Sequence, residues 1–238
     1  MQFVTINQTP YIIGISLSST LMLLLTFSLF FLYFRKQKKK TTVKKQGQIF
    51  EENLNQKIQF WAYKNNGMFI PNTIFKYHGT KLFEVDGILI TQRALIIIEA
   101  KSINAHAIIG KGNEKNWVKV LGVNRYPIKS PILQNDNHLN HIVEMTQMKL
   151  PMVSLVVFDV QGCSTLEISD VPAHVLVITS DEIQDTLEQI KSFLIPKITS
   201  QEVQNVYFKL MDHKTDEPED RKLLLSYAKE FNEKNFTI

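Results

Sequence analysis

The run from Glu84 to Lys101, EVDGILITQRALIIIEAK, constrains this chain more than any other stretch. Leu95-Ile96-Ile97-Ile98 is a continuous aliphatic run, which suits a strand buried on both faces. It ends in Glu99-Ala100-Lys101. Side chains alternate along a strand, so Glu99 and Lys101 share one face and Ala100 takes the other. An unpaired charge in such a place is costly. Asp86 lies on the preceding apolar run, Leu82 to Ile90, and Thr91-Gln92-Arg93 is short enough to join the two as an antiparallel hairpin. An acid on one strand and Glu-x-Lys at the end of the next can hold a divalent metal beside a phosphodiester. Two plainer readings stand beside this one. Glu99 and Lys101 can be a partly buried ion pair at a sheet edge, and Asp86 a turn or pairing residue. Glu-x-Lys alone arises by chance about once in a chain of this size. Two related triplets, Asp212-His213-Lys214 and Asp220-Arg221-Lys222, lie in polar stretches with no buried strand before them.

The 238 residues suit one membrane segment and one soluble domain. Residues 11–34, YIIGISLSSTLMLLLTFSLFFLYF, are uncharged and long enough to cross about 30 Å of hydrocarbon as a helix. Residues 1–10 carry no charged side chain, and the positive charge follows the apolar run. That order argues for an uncleaved anchor over a signal peptide. Seven of the 27 basic residues and none of the 23 acidic ones fall in residues 1–45. Residues 35–45 are therefore expected as a basic juxtamembrane linker on the cytoplasmic side. That puts residues 1–10 outside and residues 46–238 inside as one domain. The same run can touch anionic headgroups. In residues 46–238, 20 basic residues face 23 acidic ones, so the alkaline isoelectric point says nothing by itself about nucleic acid. The single cysteine, Cys163, excludes an internal disulfide framework and a cysteine zinc site.

Beyond the linker, Gln46 to Asn65 reads as a helix with Phe50, Leu54, Ile58 and Trp61 on one face. Glu51 and Glu52 lie in its first turn, where acids favour the helix dipole. A short strand is expected at Thr73 to Tyr77, then the central pair, then strands at Ala105 to Ile109 and Trp117 to Leu121. Pro131 to Met148 reads as a second helix with proline at an early position. Met152 to Phe158 and His174 to Ile178 read as buried strands. A helix capped by Ser180 or Asp181 follows, running to about Leu194. Helices at Ser200 to Met211 and Pro218 to Phe231 close the chain.

The order Gly47-x-x-Phe50-Glu51, Glu84-Val85-Asp86, Ile98-Glu99-Ala100-Lys101, Gly110, Trp117 and Pro131-x-x-Gln134-x-x-x-His138 resembles the nuclease-related domain family, NERD. That family is similar to the PD-(D/E)xK restriction-endonuclease-like nucleases. The likeness covers about Gly47 to His141. It departs at Phe50, where glycine is usual before the Glu, and at Ser130, where asparagine is usual before Pro131. The resemblance implies an α/β fold with a mixed central sheet flanked by helices, behind the one transmembrane helix. It implies that Asp86 and Glu99, with the Ala100 carbonyl, bind Mg²⁺ or Mn²⁺, hard cations that oxygen ligands suit. Glu51 would reach the metal directly or through water. Lys101 would orient or activate the attacking water and stabilise phosphate charge, and Gln134 would steady the site or the substrate backbone. The reaction would be metal-assisted phosphodiester hydrolysis in nucleic acid, with DNA ranked ahead of RNA though the sequence does not separate the two. The alternative is a catalytically inactive module that binds nucleic acid or protein at the membrane.

Between residues 101 and 129 lie Lys101, Lys111, Lys115, Lys119, Arg125 and Lys129 against Glu114. Lys111, Lys115, Lys119 and Arg125 are candidates for phosphate contacts; the bland reading is a solvated hairpin. Trp117 reads as core. His138 and His141 lie on one helix face at a spacing that can bind metal, with no obvious third ligand. His106 reads as a strand-surface residue. The chain has no Walker loop, Rossmann fingerprint or G-x-S-x-G elbow.

Overall fold

The computed structural model describes residues 22, 26–32, 46–79, 81–147, 150–159 and 161–236. The chain divides into two units, residues 1–48 and 49–238. In the first, residues 26–32 are helical and exposed. Among the described residues no helix is long and apolar enough to cross a membrane, and the greater part of the expected span 11–34 lies outside them.

The second unit is mixed α/β with two mixed sheets flanked by helices. Helix α1 (46–64) precedes strands β1 (Met68–Tyr77), β2 (Lys81–Ile90) and β3 (Leu95–Lys101), an antiparallel meander. Strands β4 (Ala107–Lys111), β5 (Asn116–Leu121) and β6 (Asn124–Lys129) lead into α2 (Pro131–Thr146). Then come β7 (Met152–Phe158), β8 (Leu166–Ser169), β9 (Val175–Thr179), α3 (Ile183–Phe193), α4 (Ser200–Met211) and α5 (Pro218–Phe236). The five-stranded sheet has the order β1-β2-β3-β7-β9, its last three strands parallel; the four-stranded sheet has the order β6-β5-β4-β8.

Strand β3 is the keel. Its alternate residues feed two different cores, as a strand covered on both faces requires. Ile96, Ile98 and Ala100 pack with Phe50, Leu54, Ile58 and Trp61 of α1 and with Ile183, Leu187 and Ile190 of α3. Leu95 and Ile97 pack with Ile142 and Met145 of α2 and with Val203, Val206 and Leu210 of α4. Asn135 pins α2 across the sheet, its amide donating to the Ile97 carbonyl and to Ser154 Oγ, each at 2.9 Å.

The expected single sheet is corrected to two, because β6 and β8 add strands the pattern did not show. Neither strand is apolar: Asn124–Lys129 is largely exposed and Leu166–Ser169 alternates between exposed and half-buried. Their apolar positions serve a third core, where Trp117 is wholly buried and stacks on Phe158 at 6.5 Å between ring centres. Gly110 makes room for that ring, since a Cβ there would lie 2.3 Å from it. Helix α3 starts later than expected, with Glu182 at its N-terminus accepting from Thr179 rather than Ser180 or Asp181 capping it. The two C-terminal Asp-x-Lys triplets prove structural. Backbone bonds from Lys76 to His213 and from Thr215 to Ile74 cover the β1 edge, as exposed edges require. Buried Asp220 pairs with Lys76 at 3.0 Å.

Gly110→Ala is expected to lower unfolding stability by about 1–3 kcal/mol through overpacking against Trp117. Urea denaturation followed by tryptophan fluorescence measures it.

Candidate active site

The ladder between β2 and β3 stops at Gly87–Ile98, whereas β3 stays paired with β7 as far as Lys101–Phe158. The strands therefore part beside Glu99. The pair Asn72–Asp86 is also missing from the register between β1 and β2. Across this point β2 exchanges its faces. Ile88 and Ile90 share an apolar cluster with Val85 and Phe83, which regular pleating forbids. Gly87 permits the bend, because a Cβ there would meet the Phe69 ring at 3.0 Å. The Asp86 carboxylate takes the place of the lost ladder acceptor: the Ala100 N–H donates to its Oδ2 at 2.8 Å. In an extended strand a residue's N–H and C=O point the same way, so the Ala100 carbonyl also faces the opened side. The site lies at the carboxyl ends of β3 and β7, in the parallel half of the sheet, where open α/β sheets bind ligands.

Glu99 is fully buried. Its Oε1 forms an ion pair with Lys101 Nζ. Beyond that pair, neither carboxylate oxygen has a hydrogen-bond partner among the described residues. Burial pushes its pKa up to about 7; Asp86 and Glu51 add to the rise and Lys101 opposes it. Burial also raises Asp86, against the pull of Lys101 and the Ala100 N–H. Burial pulls the Lys101 ammonium down, but Glu99, Asp86 and Glu51 outweigh it and leave Lys101 above its ordinary value. Lys101 is therefore a cation at neutral pH. Gln134, one turn into α2, receives a 3.2 Å hydrogen bond from it.

Glu51 stands on α1, on the face of the sheet that Ala100 takes, while Glu99 and Lys101 look toward α2. Its pKa is raised by burial first and then by Asp86 and Glu84, so it shares the field of the site. Approach from opposite faces explains why, among the described residues, no three His, Cys, Asp or Glu side chains group closely enough to hold one metal ion. A hard cation still fits what is present. Glu99 Oε2 is buried with no hydrogen-bond partner among the described residues, and Asp86 accepts from Ala100 through Oδ2 alone. Mg²⁺ commonly takes one or two carboxylates and keeps several waters.

Sequence reasoning gave His138 too little weight. It lies one helical turn beyond Gln134, so the spacing of four was the available signal. Its Nε2 lies 3.7 Å from Glu99 Oε2. Burial lowers its pKa to about 4, helped by His141 and Lys101. His141 does not join it at a metal; its Nδ1 meets the Tyr77 hydroxyl at 2.5 Å. His106 accepts from the Gly122 N–H in the β5–β6 turn at 3.1 Å.

The structure divides the basic candidates. Register puts Lys111, Arg125 and Lys129 on one face of the second sheet and Lys119 on the other, with Lys115 in the β4–β5 turn. Lys129, at the end of β6, has its pKa lowered by burial and by the Lys101 charge, which marks the base of this sheet as a neighbour of the site.

Glu99 and His138 set opposed pH dependences. Glu99 rises from 4.5 to about 7 on folding, so its contribution is present below pH 4.5 and is lost as pH rises through 7. His138 falls from 6.5 to about 4, so the unfolded chain takes up protons that the fold refuses, and stability is lost on acidification. Between pH 4.5 and 6.5 the two nearly cancel. Glu99→Gln leaves the histidine uncompensated. That variant is expected to lose roughly 2 kcal/mol more than wild type between pH 7 and pH 5, read as the thermal midpoint against pH in chelator.

No curated protein and no solved structure matches the chain. Residues 46–159, which carry β1 to β7 with α1, Asp86, Glu99, Lys101 and Gln134, match the family model of the nuclease-related domain, NERD.

Proposed function

We propose that this domain is a metal-dependent phosphodiesterase acting on nucleic acid. The observation that carries the reading is buried Glu99, whose Oε1 meets Lys101 and whose Oε2 has no hydrogen-bond partner among the described residues, in the field of Asp86. Asp86 and Glu99, with the Ala100 carbonyl, would hold Mg²⁺ or Mn²⁺, and Glu51 would act through water from the other face of the sheet. The cation, when bound, lowers the pKa of a water and neutralises developing charge. Lys101 would orient or activate that water and meet the negative phosphate oxygens as a donor. Water adds to phosphorus through its oxygen as the bond to the leaving oxygen breaks; the water gives up one proton and the leaving oxygen takes one up, so the step is balanced in protons. Gln134 keeps the Lys101 ammonium in place.

Lys111, Lys115, Lys119 and Arg125 would meet the substrate backbone. Residues 107–129 carry five basic residues and one acid, whereas the rest of residues 46–238 carries 15 basic and 22 acidic ones. This polarity steers a polyanion to the sheet whose base adjoins the site. Residues 11–34 would anchor the chain, with residues 35–45 and the domain on the cytoplasmic side. The alternative, an inactive binding module, draws on one observation: Lys101 is already engaged by both Glu99 and Gln134.

The full-length chain is the material for the test, with labelled single- and double-stranded DNA and RNA in Mg²⁺, in Mn²⁺ and in chelator. Cleavage is expected with metal only. Asp86→Ala and Lys101→Ala are each expected to reduce it at least a hundredfold while substrate binding in chelator persists. A folded wild type that binds but never cleaves is the inactive module. Arg125→Ala and Lys111→Ala are each expected to weaken binding to all sequences alike and to lower the salt slope by about one, measured by fluorescence anisotropy at several salt concentrations.

A further inference from the structure

We propose that His138 is a positioning residue that holds the Glu99 carboxylate in the orientation a cation needs. The inference rests on the metal-dependent reading above. Helix α2 touches both charged members of β3 on successive turns, with Gln134 on Lys101 and His138 on Glu99. The imidazole plane is fixed by its surroundings. It stacks on Phe83 with centres 6.0 Å apart and planes 21° apart, and Phe83 is itself wedged against His141 and Tyr77. Both ring nitrogens are buried, and neither has a hydrogen-bond partner among the described residues. Leaving an imidazole so placed costs free energy that a phenyl ring of similar shape would not. Glu99 Oε2 lies 3.7 Å from Nε2, longer than a hydrogen bond but with both atoms buried and unpartnered. An N–H on Nε2 that closes on that oxygen would fix the carboxylate torsion from one side, while Lys101 holds Oε1 from the other. Carboxylates that ligate metals are commonly held in this way by a second layer of donors. His138 is not a ligand in this scheme.

The test measures Mn²⁺ binding by the full-length chain, using the metal alone and following free Mn²⁺ by electron paramagnetic resonance. Thermal stability is measured in parallel in chelator. His138→Phe keeps the stack on Phe83 and removes the donor. It is expected to match or exceed wild-type stability and to bind Mn²⁺ 10- to 100-fold more weakly. His138→Gln restores an N–H donor and is expected to recover most of that affinity. A role confined to packing predicts the reverse, with affinity unchanged in His138→Phe, and that result overturns the inference while leaving the metal-dependent reading intact. If His138→Phe does not fold, His138→Gln decides, and a folded His138→Gln with a tenfold loss of affinity overturns the inference. Absence of Mn²⁺ binding by wild type overturns the metal-dependent reading and this inference together.

Discussion

A single buried carboxylate organises this domain. Glu99 closes a strand whose preceding four residues are wholly or almost wholly buried aliphatics. Full burial of each such side chain contributes about 2 kcal/mol, and taking a carboxylate out of water costs several. The strand can therefore carry its acid inward, but only with compensation. The compensation is local: Lys101 two residues on, with Gln134 steadying that lysine. A structural ion pair would normally add hydrogen bonds to the lone pairs left over. Here they are left open, at the one place where β2 turns away and the sheet ceases to be continuous.

That break has its own causes. Two strands can separate without loss only if the freed backbone groups find partners. Asp86 supplies one by accepting from Ala100, and Gly87 supplies the room by letting the Phe69 ring approach. The same device that ends the ladder thus brings the second acid beside the first. Parallel pairing of β3 with β7 and β9 keeps the other side of the strand rigid, so the opening is confined to one edge. The helices are assigned by alternation: α1 and α3 to one face, α2 and α4 to the other. Glu51 arrives on the first face, and Gln134 and His138 on the second.

The pKa pattern follows from that placement. Three carboxylates and one ammonium share a poorly solvated corner, so the acids are pushed up and the lysine is kept charged. Strong perturbation of this kind clusters at functional sites. The surplus of positive charge lies elsewhere, on the small sheet, where Lys129 at the end of β6 senses Lys101. The acids of this corner and the basic residues of the small sheet thus lie on separate elements.

Much of this was legible in the residues themselves. The aliphatic run ending in Glu99-Ala100-Lys101 named its strand and its face, because period-two alternation is a local rule. The helices at 46–64 and Pro131–Thr146 followed from apolar spacing and an early proline. Strands β6 and β8 were not legible, since their stability comes from ladder bonds and from Trp117 and Phe158 beneath them, and their own side chains are mostly polar. The division of the basic residues between two faces depended on register, which only pairing sets. Only the fold decided that His138 belongs with Glu99 and His141 with Tyr77. Sequence spacing put both histidines on one face of α2, but what that face meets is chosen by helix packing across β3, a contact between residues some forty positions apart.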